Sequence, residues 1–154
     1  MTDGSAIIDA NVVVSGLLSS DSESPTARIL NAMIAGDGVF ILSLTLLAEY
    51  RNVLLRPRLQ KRHGLTAAEI DQILEDITLN AAIREPAASA TPAPDPGDNH
   101  LWALLAAVPT AVLVTGDRLL LERPPPRCTL LSPRAYWDLR ERGALGARPH
   151  PSQT

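Results

Sequence analysis

Short, almost wholly apolar runs recur along this chain, and helical patterns fill the intervals between them. Ala6 to Val14, Val39 to Leu42, Ala111 to Val114 and Cys128 to Leu131 are such runs. A strand that is apolar on both sides must be covered on both faces, which is the condition of a parallel sheet. Parallel strands need long crossovers, usually helical, and the intervals provide them. Pro25 opens a helical pattern through Ala27, Leu30, Ala32, Met33 and Ile34 to Gly36. Ser43 or Thr45 caps a second, which carries Leu46, Leu47, Tyr50, Val53 and Leu54 and ends before Pro57. Thr66-Ala67-Ala68-Glu69 is a capping box for a long helix with Ile70, Ile73, Leu74, Ile77 and Ala81 at helical spacing. Asp98-Asn99 starts a helix through Leu101, Trp102, Leu104, Leu105 and Ala107, Leu119 to Glu122 forms a short one, and Ser132-Pro133 caps a last one through Tyr136, Trp137 and Leu139. The expected fold class is α/β, a three-layer α/β/α sandwich around a mainly parallel sheet.

A chain of 154 residues suits one compact domain. That domain is expected over residues 1–142. Residues 85–97, dense in Ala and Pro, form a surface connection with a short extended piece inside it. Residues 143–154 read as a flexible tail. The balance of 14 Lys+Arg against 17 Asp+Glu leaves no global basic field to hold a polyanion. Aromatic residues make up 3%, which argues against a platform of rings stacking several bases. The one cysteine, Cys128, excludes an intrachain disulfide and a thiol-only metal site, and its apolar surroundings suit a buried thiol. No apolar run approaches the roughly 18 residues of a membrane span, and Met1-Thr2-Asp3-Gly4 does not open a signal peptide. A cytoplasmic protein without membrane contact is the expectation.

Four acids stand where chemistry is done. Asp9 interrupts the first apolar run, Glu49 lies in an apolar helix, Asp98 opens a later helix with Asp95 three residues before it, and Asp117 follows the third run. Ligands bind at the carboxyl ends of parallel strands, so Asp9 and Asp117 are placed to face one cleft. Each acid also has a plain structural reading: a turn cap at Asp9 or Asp117, a solvated helix residue at Glu49, a helix-dipole acid at Asp98, a turn residue at Asp95. Their coincidence at edge positions favours function. Clustered carboxylates repel one another, and a hard divalent cation relieves that repulsion. Without a matching His or Cys set, the pattern points to Mg²⁺ or Mn²⁺ rather than zinc.

The motifs also resemble a known family. They are Ile8-Asp9-Ala10-Asn11-Val12-Val13-Val14-Ser15-Gly16-Leu17-Leu18, Leu46-Leu47-Ala48-Glu49-Tyr50, Leu55-Arg56-Pro57-Arg58-Leu59, Asp95-Pro96-Gly97-Asp98-Asn99, Val114-Thr115-Gly116-Asp117-Arg118-Leu119-Leu120 and Leu130-Leu131-Ser132-Pro133-Arg134. In order and spacing, over roughly residues 6–138, the series resembles the PIN-domain family. Within it, the series resembles the bacterial toxin components of toxin–antitoxin pairs (VapC-like ribonucleases). The resemblance implies an α/β/α fold and a Mg²⁺- or Mn²⁺-dependent endoribonuclease. It implies catalytic roles for Asp9, Glu49, Asp98 and Asp117, metal binding by Asp9, Asp98, Asp117 and the extra acid Asp95, and supporting polar roles for Asn11 and Thr115. It also implies an antitoxin that covers the cleft, and a homodimer. Gly97 departs from the family's usual acid at that place and leaves the four principal acids complete.

RNA phosphodiester cleavage by a metal-activated water needs no histidine base, and His63, His100 and His150 are not assigned one. His100 is expected on a helix surface. Arg51, Arg56, Arg58, Lys61, Arg62 and His63 form the strongest basic concentration, with Arg118 beside Asp117. These residues read either as a rim that contacts phosphates of single-stranded or structured RNA, or as a solvated helix end. Asn11, where a haloacid-dehalogenase-type phosphotransferase needs a second aspartate, argues against that class, and no Gly-rich phosphate loop is present. The remaining alternative is a non-catalytic RNA-binding or regulatory protein with the same fold.

Overall fold

The computed structural model describes residues 3–88 and 91–143. Five short strands are present among them: β1 (Ala6–Ile8), β2 (Ile41–Leu42), β3 (Ala82–Ile83), β4 (Val112–Val114) and β5 (Thr129–Leu131). β1 pairs in parallel with β4 (Ala6 opposite Val112, Ile8 opposite Val114), and β4 in parallel with β5. β2 and β3 form a second parallel pair, tied to β1 by a parallel bridge between Ala6 and Phe40. The strands thus follow one another in the order β3-β2-β1-β4-β5. With right-handed crossovers, the connections that step from β1 to β2 and β3 put their helices on one face, and those that step to β4 and β5 put theirs on the other. This is the expected three-layer α/β/α sandwich. Ile7, Leu42, Val112, Leu113 and Val114 expose no surface, as strands covered on both faces require.

The helices are α1 (Ala10–Leu18), α2 (Pro25–Ala35), α3 (Leu44–Leu54), α4 (Pro57–His63), α5 (Ala67–Asn80), α6 (Asn99–Ala107), α7 (Arg118–Glu122) and α8 (Pro133–Glu141). Ser24, Ser43 and Ser132 cap α2, α3 and α8 through their hydroxyls, and the Thr66–Glu69 capping box opens α5. No helix is long and apolar enough to cross a membrane among the described residues.

Four expectations are corrected. The run Ala6 to Val14 does not stay a strand: it ends at Ile8, and Asp9, in extended conformation, begins α1. Exposed Asn11 and Ser15 lie four apart, while Val12, Val13 and Gly16 are buried, so helical packing overrides the β preference of the branched residues. Pro57 starts α4 where no helix was expected, and a left-handed Gly64 ends it. β3 was not foreseen, because two residues carry no periodicity. Cys128 is only partly buried, which still raises its thiol pKa. The tail beyond Gly143 lies outside the described residues.

The chain leaves β1 in one direction and returns from β3 to the other side of it. The strand order therefore reverses between β1 and β4, the place where open α/β sheets bind ligands. One close approach fixes the layer above it. At Gly16 of α1, a Cβ would stand 2.5 Å from the carbonyl oxygen of Thr26 in α2. A methyl there can be accommodated only by moving backbone. Gly16→Ala is expected to cost about 1–3 kcal/mol in urea unfolding; a variant as stable as the parent contradicts this packing.

Candidate active site

The reversal point is built from the residues that follow β1 and β4. Asp9 comes directly after Ile8 and is only 5% exposed. Its Oδ2 accepts hydrogen bonds from Thr115 Oγ1 at 2.8 Å and from Asn11 Nδ2 at 3.3 Å. Asn11 Oδ1 accepts from the Gly116 amide at 3.1 Å, and Thr115 Oγ1 accepts from the Asp117 amide at 3.1 Å. The two strand ends are thereby stitched into one polar unit around a buried carboxylate. Asp117 itself accepts from the Leu119 amide at the start of α7. Its structural reading as a cap is realised together with its place at the cleft.

Glu49 reaches the same region from α3. The neighbouring Tyr50 fixes the helix: its side chain is fully buried and its hydroxyl donates to the Ile8 carbonyl, one residue before Asp9. Burial keeps the Tyr50 phenol protonated well above its usual range. From α6, His100 brings Nε2 within 2.8 Å of Glu49 Oε2. The contact lacks hydrogen-bond alignment and leaves Glu49 Oε2 without a hydrogen-bond partner; the other ring nitrogen, His100 Nδ1, is also buried without one. His100 is therefore not the surface residue expected. It and Tyr50 are the site neighbours that the sequence reading missed; the placement of His100 two positions after Asp98 was the available signal. Asp98 ends the tight 3₁₀ turn Pro96–Asp98 before α6, and Asp95 caps that turn by accepting from the Gly97 amide at 2.9 Å. Gly97 meets only the Asp95 carboxylate, so its small size is not forced by packing.

The basic residues separate. Arg51 is bound by Asp71 of α5, Nε to Oδ1 at 2.8 Å, and lines a groove between α3 and α5. Arg56 and Arg62 line a different groove, which includes Asn11. Arg58 and Lys61 are exposed on α4, and Arg118 is exposed at the start of α7. His63 is structural: its Nε2 donates to the Leu54 carbonyl at 3.0 Å and its Nδ1 accepts from the Leu65 amide. His150 lies outside the described residues.

The electrostatics show why the acids are under tension. Burial raises the pKa of Asp9, the Thr115 hydrogen bond lowers it, and the charge of Glu49 raises it again. Asp98 is pushed up to about 6, first by desolvation and then by the charges of Asp9, Asp95, Glu49 and Asp117. Among the described residues no three His, Cys, Asp or Glu side chains converge into a closed ligand set. The donors are nevertheless oxygen atoms that repel one another, and the Glu49 oxygen is orphaned. That chemistry fits a hydrated hard cation such as Mg²⁺, which keeps several waters and needs only one or two carboxylates. In metal-free protein the sign follows from linkage. The folded Asp98 holds its proton to higher pH than the unfolded chain does, so it is harmless below about pH 4. It then destabilises the fold increasingly as pH rises through about 6. Asp98→Asn is expected to remove this slope. At neutral pH without metal it should raise the melting temperature by about 2–4 °C, equivalent to roughly 1 kcal/mol after solvent screening. An unchanged melting curve in EDTA counts against the acid cluster.

No curated protein matches the chain. The profile of the PIN domain, a nuclease-type fold, matches residues 5–119 and so takes in Asp9, Glu49, Asp98 and Asp117. With three quarters of its length matched and the parallel sheet in place, the chain belongs to the PIN-domain family.

Proposed function

We propose that this PIN domain is a metal-dependent endoribonuclease that cleaves RNA phosphodiester bonds by attack of water. The observation that supports the reading is Asp98, half-buried beside the reversal point of the sheet, its pKa pushed up to about 6 first by desolvation and then by the charges of Asp9, Asp95, Glu49 and Asp117. In a chain that gains nothing structurally from such repulsion, the cluster is explained by a positively charged ligand and a phosphate. Asp9 and Asp98 would hold Mg²⁺ or Mn²⁺, with Asp117 and Asp95 completing its surroundings through water. Bound there, the cation would neutralise charge on the phosphoryl group and acidify a water. Glu49 would orient that water and take its proton, with the imidazole of His100 beside its Oε2. Thr115 and Asn11 hold Asp9 in one orientation, so that the carboxylate does not reorganise during the reaction. Water attack leaves a 5′-phosphate and a 3′-hydroxyl.

A toxin role, with an antitoxin peptide covering the cleft, completes the proposal and is supported by the motif series. A homodimer belongs to it as well. Leu44 and Leu79, 60% and 76% exposed beside the α3–α5 groove, offer a second copy an apolar face.

The decisive assay uses end-labelled single-stranded RNA with Mg²⁺, Mn²⁺ or EDTA. Cleavage is expected with either metal, none in EDTA, and a loss of at least about 100-fold in Asp9→Asn, whose amide still accepts from Thr115. Wild-type rates in Asp9→Asn would refute the site. Folded, metal-binding protein that cleaves no RNA would establish the non-catalytic alternative.

A further inference from the structure

The groove that contains Arg56 and Arg62 holds chemistry that the acid cluster does not use. It encloses about 660 Å³ and starts at Asn11, the residue that bridges Asp9 to Gly116. One wall is a line of hydroxyls. Ser15 Oγ donates to Thr26 Oγ1 at 3.3 Å, Thr26 Oγ1 meets Ser24 Oγ at 3.5 Å, and Ser24 Oγ meets Ser19 Oγ at 2.9 Å. The tight α1–α2 contact at Gly16 holds this wall in place. Across the groove stand Arg56, from the start of α4, and Arg62, from its last turn.

Neither guanidinium has an ion-pair or hydrogen-bond partner among the described residues, whereas Arg28, Arg51 and Arg140 are each paired with carboxylates. In a chain of net charge −3, two unpaired arginines in one groove reverse the local sign. No aromatic ring lines the groove, so it is not a surface for stacked bases. Guanidinium groups match phosphate oxygens. The hydroxyl protons are spent along the wall, the last on the Asp21 carbonyl, so its remaining lone pairs accept, and they match the ribose 2′-hydroxyl as a donor, the group that distinguishes RNA from DNA. An acidic peptide would satisfy the arginines and leave the hydroxyl wall unexplained.

We infer that this groove is the track along which the backbone of a single-stranded RNA reaches the acids, with Arg56 and Arg62 on its phosphates and the Ser15–Thr26–Ser24–Ser19 wall on its riboses. The inference rests on the nuclease reading above, yet it is tested by binding rather than turnover. The full chain is titrated into a fluorescent oligoribonucleotide, and into its DNA counterpart, with Ca²⁺ replacing Mg²⁺, at several salt concentrations. Arg56→Gln/Arg62→Gln is expected to weaken RNA binding on the order of tenfold or more. It should lower the slope of log K against log salt by about 0.7 for each arginine. Arg51→Gln, on the other groove, should change neither quantity. Ser15→Ala/Thr26→Val should narrow the preference for RNA over DNA. Circular dichroism confirms folding, which Arg56 does not support through any side-chain cap.

An unchanged slope in the double arginine variant, or an equal loss in Arg51→Gln, overturns the track even if the protein cleaves RNA. Arginine-dependent RNA binding by a protein that cleaves nothing in Mg²⁺ or Mn²⁺ upholds the track and overturns the nuclease. Binding of polyglutamate, but not RNA, to the same arginines assigns the groove to a protein partner and overturns the track.

Discussion

The hydrogen bond from Thr115 to Asp9 is the interaction on which the rest of the site depends. A carboxylate with so little exposed surface is tolerated only when polar groups replace its water. Thr115 supplies one from the neighbouring strand, and Asn11 supplies a second from the first turn of α1. The same three residues decide the local fold. The β1 run stops where its carboxylate needs partners, and α1 begins with Asn11 turned toward β4. One buried charge therefore ends a strand, starts a helix and couples two strand ends.

Around that charge the molecule collects others instead of dispersing them. Asp98, Asp117 and Glu49 arrive on three different elements, and α3 and α6 meet across the site at Glu49 and His100. A fold selected for stability alone would neutralise such a cluster with arginines, as it does at the periphery, where Arg51 meets Asp71 and Arg140 meets Asp37. Among the described residues, the one ion-pair contact of the acids around Asp9 is that of Glu49 with the imidazole of His100. Arg56 and Arg62 line a groove that includes Asn11 rather than meeting the carboxylates.

Much of this was legible in the residues. The acids after β1 and β4 stood out because a charge in an apolar run has few structural excuses; serine or threonine before a helical pattern marked the starts of α3, α5 and α8, and Pro25 that of α2. The three-layer α/β/α class followed from strands apolar on both sides. What escaped was set by distant contacts. Val12 and Val13 look like strand residues until the packing of α1 on α2 is known. Arg51 looks like part of a basic rim until Asp71, twenty positions later, claims it. His100 looks solvated because its place two positions after Asp98 hints at the site without showing that α3 faces it. β3 is too short for any pattern, and its pairing with β2 is a property of the sheet.

The hydroxyl of Tyr50 ties α3 to the Ile8 carbonyl and so fixes the rotational phase of that helix. An α-helix turns by 100° per residue. One residue added or removed between Ser43 and Tyr50 would keep either the cap or the tyrosine tie, and in the second case the helix entry from β2 would have to be rebuilt. A change of chain length is therefore expected to be accommodated better outside that span. The Ala- and Pro-dense connection before Asp95 lies outside that span, and there the Ala93 amide donates to Asn99 Oδ1.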